Sequence, residues 1–159
     1  MSNYKQSRGW RNNNPLNIRR GEKWQGMVSE PTDTTFCQFI TMSHGYRAGV
    51  KCMMSYYRLF CQTGKAWRID NIVSRWAPPN ENKTMKYIGH VCELMGREPG
   101  DYALQSPLTV PGRYDLALLI CAMTCVETGC PPSAVPVGSV NAGFALAGRG
   151  DPHLPTKWW

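Results

Sequence analysis

The sequence predicts a mainly α (α+β) fold, in which helices follow a loop-rich region with a small irregular β-hairpin near the amino terminus. From residue 43 onward, apolar side chains recur at helical spacing. The stretch 7–41 is instead rich in Asn, Gly and Thr, as loops and short strands are. With 159 residues, the chain fits a single domain over 1–159. We divide it into a loop and hairpin region (1–41), a helical region (42–148) and an irregular tail (149–159).

Each predicted element has a local signal. Alternating apolar residues at 16–18 and 36–40 are typical of two short strands. Ser43 is a suitable N-cap for the first helix and Asn82 for the third. The helix from Tyr114 is apolar nearly all round, which predicts that it is the buried central helix. The predicted helices cover about 43–62, 69–76, 82–95, 114–128 and 137–147.

Charge and cysteine content narrow the classes of partner and ligand. The net charge of +7 favours polyanionic partners, but the positive residues are mostly scattered. A nucleic-acid partner is therefore not favoured, because no basic run is interleaved with stacking aromatics. The seven cysteines form no C-x-x-C motif and the three histidines are far apart, so we predict neither a metal site nor a cofactor.

Glu127 carries the strongest chemical signal. It lies at the end of the most apolar predicted helix, where burial and the negative end of the helix dipole both raise a carboxyl pKa. A carboxyl that stays protonated near neutral pH is what a glycosidase needs to protonate the departing sugar oxygen. The alternative is an exposed glutamate with ordinary acidity in the last helical turn.

Three short segments resemble lysozyme-like enzymes of the bacterial cell wall. Residues 122–129 resemble the lytic transglycosylase helix that ends in Glu-Ser-Gly and carries the catalytic acid, here Glu127-Thr128-Gly129. Residues 82–87 are similar to a late transglycosylase segment whose Thr and Tyr line the sugar cleft. A third set looks like the region after the catalytic Glu of cell-wall glucosaminidases: Asn13-Asn14-Pro15-Leu16-Asn17-Ile18-Arg19, Trp24-Gln25-Gly26 and Phe36-Cys37-Gln38-Phe39.

The order of these segments departs from the family pattern. In lysozyme-like enzymes the Glu helix precedes the Asn-rich region, whereas here it follows it. The resemblance therefore implies a circularly permuted lysozyme-like fold, which is physically tolerable when the original termini lie close together. The chain also resembles small phage and prophage proteins of virions or of host lysis.

The resemblance implies a set of site residues beyond Glu127. On the predicted hairpin, Asp33 is favoured over Glu30 as a second carboxylate that assists catalysis. The candidate sugar-binding residues are Asn13, Asn14, Trp76, Asn80, Asn82, Thr84 and Tyr87. Each also has a structural interpretation, since Asn is common in turns and caps and Trp76 suits a core position.

The resulting functional hypothesis is cleavage of peptidoglycan glycan strands by a muramidase or lytic transglycosylase. We expect a monomer whose further partners are an immunity or inhibitor protein or a virion component. The polar amino terminus lacks a signal-peptide core and no apolar run would span a bilayer. Synthesis in the bacterial cytoplasm and delivery to the wall by a holin, a virion or a secretion system are therefore expected.

Three alternatives remain at this stage. The first is a non-catalytic phage structural or wall-binding protein with a lysozyme-like shape, in which Glu127 would not open onto a cleft. The second is a cell-wall peptidase that pairs Cys37 with His44 or His90. The third is nucleic-acid binding, for which affinity would fall steeply with salt.

Overall fold

The computed structural model describes residues 3–77 and 80–159, with the side chains of 81 and 82 left out. In this part of the chain the structure is mainly α-helical, as predicted. The α-helices are α1 (Arg8–Arg11), α2 (Met42–Thr63), α3 (Ile69–Trp76), α4 (Glu81–Leu94), α5 (Val110–Thr128) and α6 (Val137–Leu146), with 3-10 turns at Tyr4–Gln6 and Pro132–Ala134.

The predicted hairpin is reduced to isolated bridges. Its two segments do meet, through an antiparallel bridge between Arg19 and Phe36 and a 2.9 Å hydrogen bond from the Cys37 N–H to the Ile18 carbonyl. The ladder does not continue, and the Asn14 side chain bonds the Ile18 N–H and the Cys37 carbonyl. A side chain therefore satisfies backbone groups that a longer strand pair would have used.

Three helix starts differ from the predicted ones. Helix α2 is capped by Thr41, not Ser43, and the side chain of Thr41 accepts from the His44 N–H. Helix α4 is capped by Asn80 in place of Asn82. Helix α5 begins at Val110, four residues earlier than predicted, since Thr109 accepts from the Gly112 N–H and proline is tolerated in a first turn.

Helix α5 is the buried centre of the fold, as its apolar surface predicts. Most of its side chains from Leu116 to Cys125 are buried, in one hydrophobic core with residues from α2, α3, α4 and α6, and Trp10 of α1 packs against that core. Helices α2 and α6 pack closely at Gly143, where an added Cβ would lie 2.6 Å from the Cβ of Tyr46. The Tyr46 hydroxyl in turn pairs with Thr124 of α5 at 2.9 Å, which joins α2 to the centre.

Residues 149–159 form no helix or strand, yet they pack against the core. Leu154 and Trp158 are buried. The side chain of Asn141 on α6 bonds both the N–H and the carbonyl of Leu154, and the Trp158 indole donates to the Pro132 carbonyl. Among the described helices, none is both long and apolar enough to cross a bilayer.

Candidate active site

The Glu127 carboxyl is held between two distant parts of the chain. Helix α5 ends at Thr128, and Gly129 closes it in the left-handed conformation at φ 75°. Glu127 is half-buried in this last turn. Its Oε1 accepts a 2.9 Å hydrogen bond from Asn17 Nδ2 and its Oε2 accepts a 2.8 Å bond from the Tyr87 hydroxyl. Both carboxyl oxygens are therefore oriented by side chains from outside α5.

Burial raises the pKa of Glu127 above its ordinary value. Hydrogen bonds from Asn17, Tyr87 and Trp76 act in the opposite direction, because they stabilise the charged form, but burial has the larger effect. The carboxyl thus keeps its proton to a higher pH than an exposed glutamate does. This is the property required of a general acid working near neutral pH.

Asn17 holds its position through an unusual backbone conformation and a close neighbour. Its φ is 54°, a left-handed value that Asn adopts more readily than most residues. Its amide also donates to the Glu127 backbone carbonyl at 3.2 Å. The opposite end of the amide packs against Gly9, where a Cβ would lie only 2.8 Å from Asn17 Oδ1. A side chain at residue 9 would therefore push against both the Asn17 amide and the Asn14 carbonyl.

Glu127 opens onto a cleft of about 700 Å³. The cleft lies between the amino-terminal segment, α2, the α3–α4 junction and the end of α5. Its lining combines aromatic and aliphatic walls with amide groups and two cations, a composition that suits a sugar chain. The lining residues are Leu16, Asn17, Ile18, Arg19, Phe36, Cys52, Tyr56, Trp76, Ala77, Asn80, Lys83, Tyr87, Val126 and Glu127.

Three of the predicted sugar-binding residues line this cleft. Trp76, Asn80 and Tyr87 do so, and Tyr87 also touches Glu127 directly. Thr84 is buried, 8% exposed, and is not part of the cleft wall. The side chain of Asn82 lies outside the described part of the structure.

The other two predicted sugar-binding residues, Asn13 and Asn14, have structural roles instead. Asn14 is fully buried, and its amide bonds the Ile18 N–H and the carbonyls of Ile18 and Cys37. Asn13 Nδ2 donates to the carbonyls of Phe39 and Ile40. Neither lines the Glu127 cleft. Because these amide hydrogens already have backbone partners, their geometry gives no support to the sugar-binding prediction for Asn13 and Asn14.

Asp33 also lies away from the cleft wall, in a separate polar pocket. Its carboxylate pairs with Arg8 through bonds of 2.6 and 2.8 Å, and it accepts further bonds from Asn12 and the N–H groups of Thr35 and Phe36. The Arg8 guanidinium holds the pKa of Asp33 far below its usual range. Asp33 therefore has a structural role in the loop, and its position gives no support to the prediction that it assists catalysis.

If Asp33 has this structural role, its substitution should lower the stability of the fold without abolishing any enzymatic activity. We expect Asp33→Asn to lower the melting temperature at pH 7, because the Arg8 pair is lost. A depressed pKa stabilises the fold at pH values above about 4 and ceases to do so as the pH falls through the folded-state value. The difference in melting temperature between wild type and variant should thus shrink in strong acid, as measured by circular dichroism. A variant that kept the wild-type stability but lost the glycan cleavage expected from the sequence would support the predicted role of Asp33 in catalysis.

Several cleft residues carry no distinguishing signal in the sequence. Asn17 lies within the Asn-rich motif but is not among the predicted site residues, although its amide hydrogen-bonds the Glu127 carboxyl. Its left-handed position had no distinguishing signal in the sequence. Lys83 and Tyr56 were likewise missed. The Cys37 alternative is not assembled in the described part of the chain. Cys37 is buried against the Arg19 carbonyl and hydrogen-bonds neither His44, whose ring pairs with Thr41, nor His90.

A comparison with known proteins found a partial relative from a phage. The chain is 39% identical over 94 residues to Protein P5 of Pseudoalteromonas phage PM2. The match covers 57% of this chain and 56% of the phage protein, so the chain spans about half the length of this curated relative. No family model matches the chain. The chain is therefore similar to a phage protein over slightly more than half of its length.

Proposed function

We propose that the protein cleaves the glycan strands of bacterial peptidoglycan, with Glu127 as the general acid and base. The observation that carries this proposal is the Glu127 carboxyl itself. It is half-buried, has a raised pKa and opens onto a cleft large enough for sugar units. In the proposed step, Glu127 donates its proton to the glycosidic oxygen as the bond to the anomeric carbon breaks.

Among the described residues of the cleft wall, Glu127 is the only carboxylate. Hydrolysis by inversion or by a covalent intermediate would call for a second carboxylate beside the sugar. A lytic transglycosylase works with one, because a hydroxyl of the sugar itself attacks the anomeric carbon and closes an anhydro ring. Glu127, as carboxylate, then takes the proton of that hydroxyl. We therefore propose the transglycosylase reaction ahead of hydrolysis.

The permuted lysozyme-like fold belongs to the same proposal. Asn17, in the Asn-rich amino-terminal segment, contacts Glu127 from 110 residues away. The two segments that resemble consecutive parts of lysozyme-like enzymes are thus neighbours in space despite their reversed order. Tyr87, from the third segment of resemblance, lies against the same carboxyl. These contacts support a circular permutation, in which the segments have a different order in the sequence but still form one cleft.

The direct test is the release of soluble muropeptides from purified peptidoglycan, resolved by mass spectrometry. We expect products that end in an anhydro sugar. Products with a reducing end would show hydrolysis, and the proposed reaction would then be that of a muramidase. The absence of release by the folded protein, on walls of several chemotypes, would overturn the enzymatic proposal. It would favour a non-catalytic phage protein, which the similarity to Protein P5 makes the second candidate.

Tyr87 provides a second, finer test of the Glu127 mechanism. Its hydroxyl stabilises the Glu127 carboxylate, so Tyr87→Phe should raise the Glu127 pKa further. The alkaline limb of the pH–activity profile should then move to higher pH. Glu127 also gains negative charge in the transition state as it gives up its proton, so loss of the Tyr87 hydrogen bond should lower the rate on the plateau of the pH profile about tenfold. An unmoved alkaline limb would contradict the assignment of that limb to Glu127.

A further inference from the structure

Two cations line the Glu127 cleft, and the proposed reaction does not use either of them. Arg19 comes from the amino-terminal segment and Lys83 from the first turn of α4. Both side chains are exposed. Neither forms an ion pair with a carboxylate among the described residues, whereas Arg8, Arg68 and Arg97 each do. Their charges are therefore free to meet a ligand in the cleft.

Arg19 is held in place by an aromatic neighbour. Its guanidinium lies 5.1 Å from the centre of the Phe36 ring, which is itself part of the cleft wall. A guanidinium that packs on a ring in this way keeps its hydrogen-bond donors free at its edge. Such a fork matches the geometry of a carboxylate.

Lys83 lies where the field of a helix adds to its own charge. Helix α4 has 14 residues, and its N-cap Asn80 also lines the cleft. The positive end of the helix dipole and the Lys83 ammonium thus both face the same space. With Glu127 protonated, the described wall carries two positive charges and no negative one.

We propose that Arg19 and Lys83 form a subsite for a carboxylate carried by the glycan strand. This inference rests on the proposed function, because it names a feature of the substrate in the same cleft. Peptidoglycan offers carboxylates from two sources, the peptide stem and, on strands without stems, the lactyl group of the muramyl sugar. Neutral chains of N-acetylglucosamine offer none. The subsite therefore favours carboxylate-bearing strands over neutral ones of equal length.

Binding measurements on the catalytically blocked Glu127→Gln protein test this subsite. The probes are stem-bearing glycan oligomers, stem-free oligomers and neutral N-acetylglucosamine oligomers of equal length. We expect Arg19→Gln with Lys83→Gln to weaken binding of at least one carboxylate-bearing probe by about fivefold, in the range of two exposed ion pairs. Binding of the neutral oligomer should not change. The carboxylate-dependent part should also weaken as salt rises.

The matched control removes two charges elsewhere. Arg58→Gln with Lys86→Gln makes the same chemical change at exposed residues outside the cleft wall. An equal loss in this control, or an equal loss for neutral and charged probes, would overturn the subsite. A loss limited to stem-bearing oligomers identifies the peptide stem as the source, and a loss shared with stem-free oligomers identifies the lactyl group.

The outcome is separable from that of the proposed function. Cleavage of peptidoglycan by the wild type with no preference for carboxylate-bearing probes would overturn the subsite and leave the enzyme standing. Selective binding that depends on Arg19 and Lys83, without any cleavage by the wild type, would overturn the enzyme and leave a carboxylate-dependent glycan-binding cleft.

Discussion

Glu127→Gln is expected to lower the rate of glycan release by about 10²–10⁴-fold, the usual contribution of general acid–base catalysis. Glutamine has nearly the shape of glutamate but no acidic proton to donate. The fold should persist, because the change removes an ionisable group from a half-buried position whose burial already disfavours charge. The measurement is the initial rate of muropeptide release, with the thermal melt of both proteins recorded in parallel.

A matched change on the surface makes the result specific. Glu93 is exposed on α4, so Glu93→Gln makes the same substitution without touching the cleft wall. Its rate should equal that of the wild type. If Glu127→Gln were folded and retained full activity, Glu127 would not be the general acid. The cleft would then need another proton donor.

Asn14→Ala is expected to lower the free energy of unfolding by about 3 kcal/mol. The Asn14 amide makes three buried hydrogen bonds to the backbone, two as donor and one as acceptor. Each net bond is worth about 1 kcal/mol, and stranded buried partners cost more. Urea denaturation of the wild type and the variant measures the difference. Because Asn14 does not line the cleft, the affinity of the folded variant for glycan should stay close to that of the wild type.

Asn3 is the matched control for this prediction. It is exposed and its side chain makes no capping hydrogen bond, so Asn3→Ala should change stability by less than about 0.5 kcal/mol. The contrast between the two asparagines separates a structural amide from a solvated one. If Asn14→Ala were as stable as the wild type but bound glycan poorly, the sugar-binding prediction made from the sequence would be reinstated.

The helices could be predicted from local patterns because each one shows its apolar face, or its lack of a polar face, in consecutive residues. Helix α3 was predicted with its observed bounds, and α5 was identified as the buried centre. The predicted first residues of α2, α4 and α5 were less accurate. Thr41 and Ser43, or Asn80 and Asn82, are equally suitable caps by residue type, and only the path of the preceding chain decides which one is used.

The candidate site was predictable to the extent that its residues stand out within their own segment. Glu127 did so as a carboxylate on an apolar helix, and Trp76 and Tyr87 did so through aromatic character or family resemblance. Asp33 and Asn14 illustrate the converse, because their surroundings cannot be predicted from their own segments. A free carboxylate and one paired with Arg8 look alike in sequence, as do a sugar-binding amide and one bonded to the backbone.

The sequence by itself determined the mainly helical class, the buried position of α5 and the chemical interest of Glu127, because burial and periodicity are local properties. Only the tertiary structure decided which groups surround that carboxyl. Asn17 lies 110 residues from Glu127 along the chain and Tyr87 lies 40 residues away, yet each is within 3 Å of it. Such contacts arise from the packing of α4, α5 and the amino-terminal segment, and no local pattern contains them.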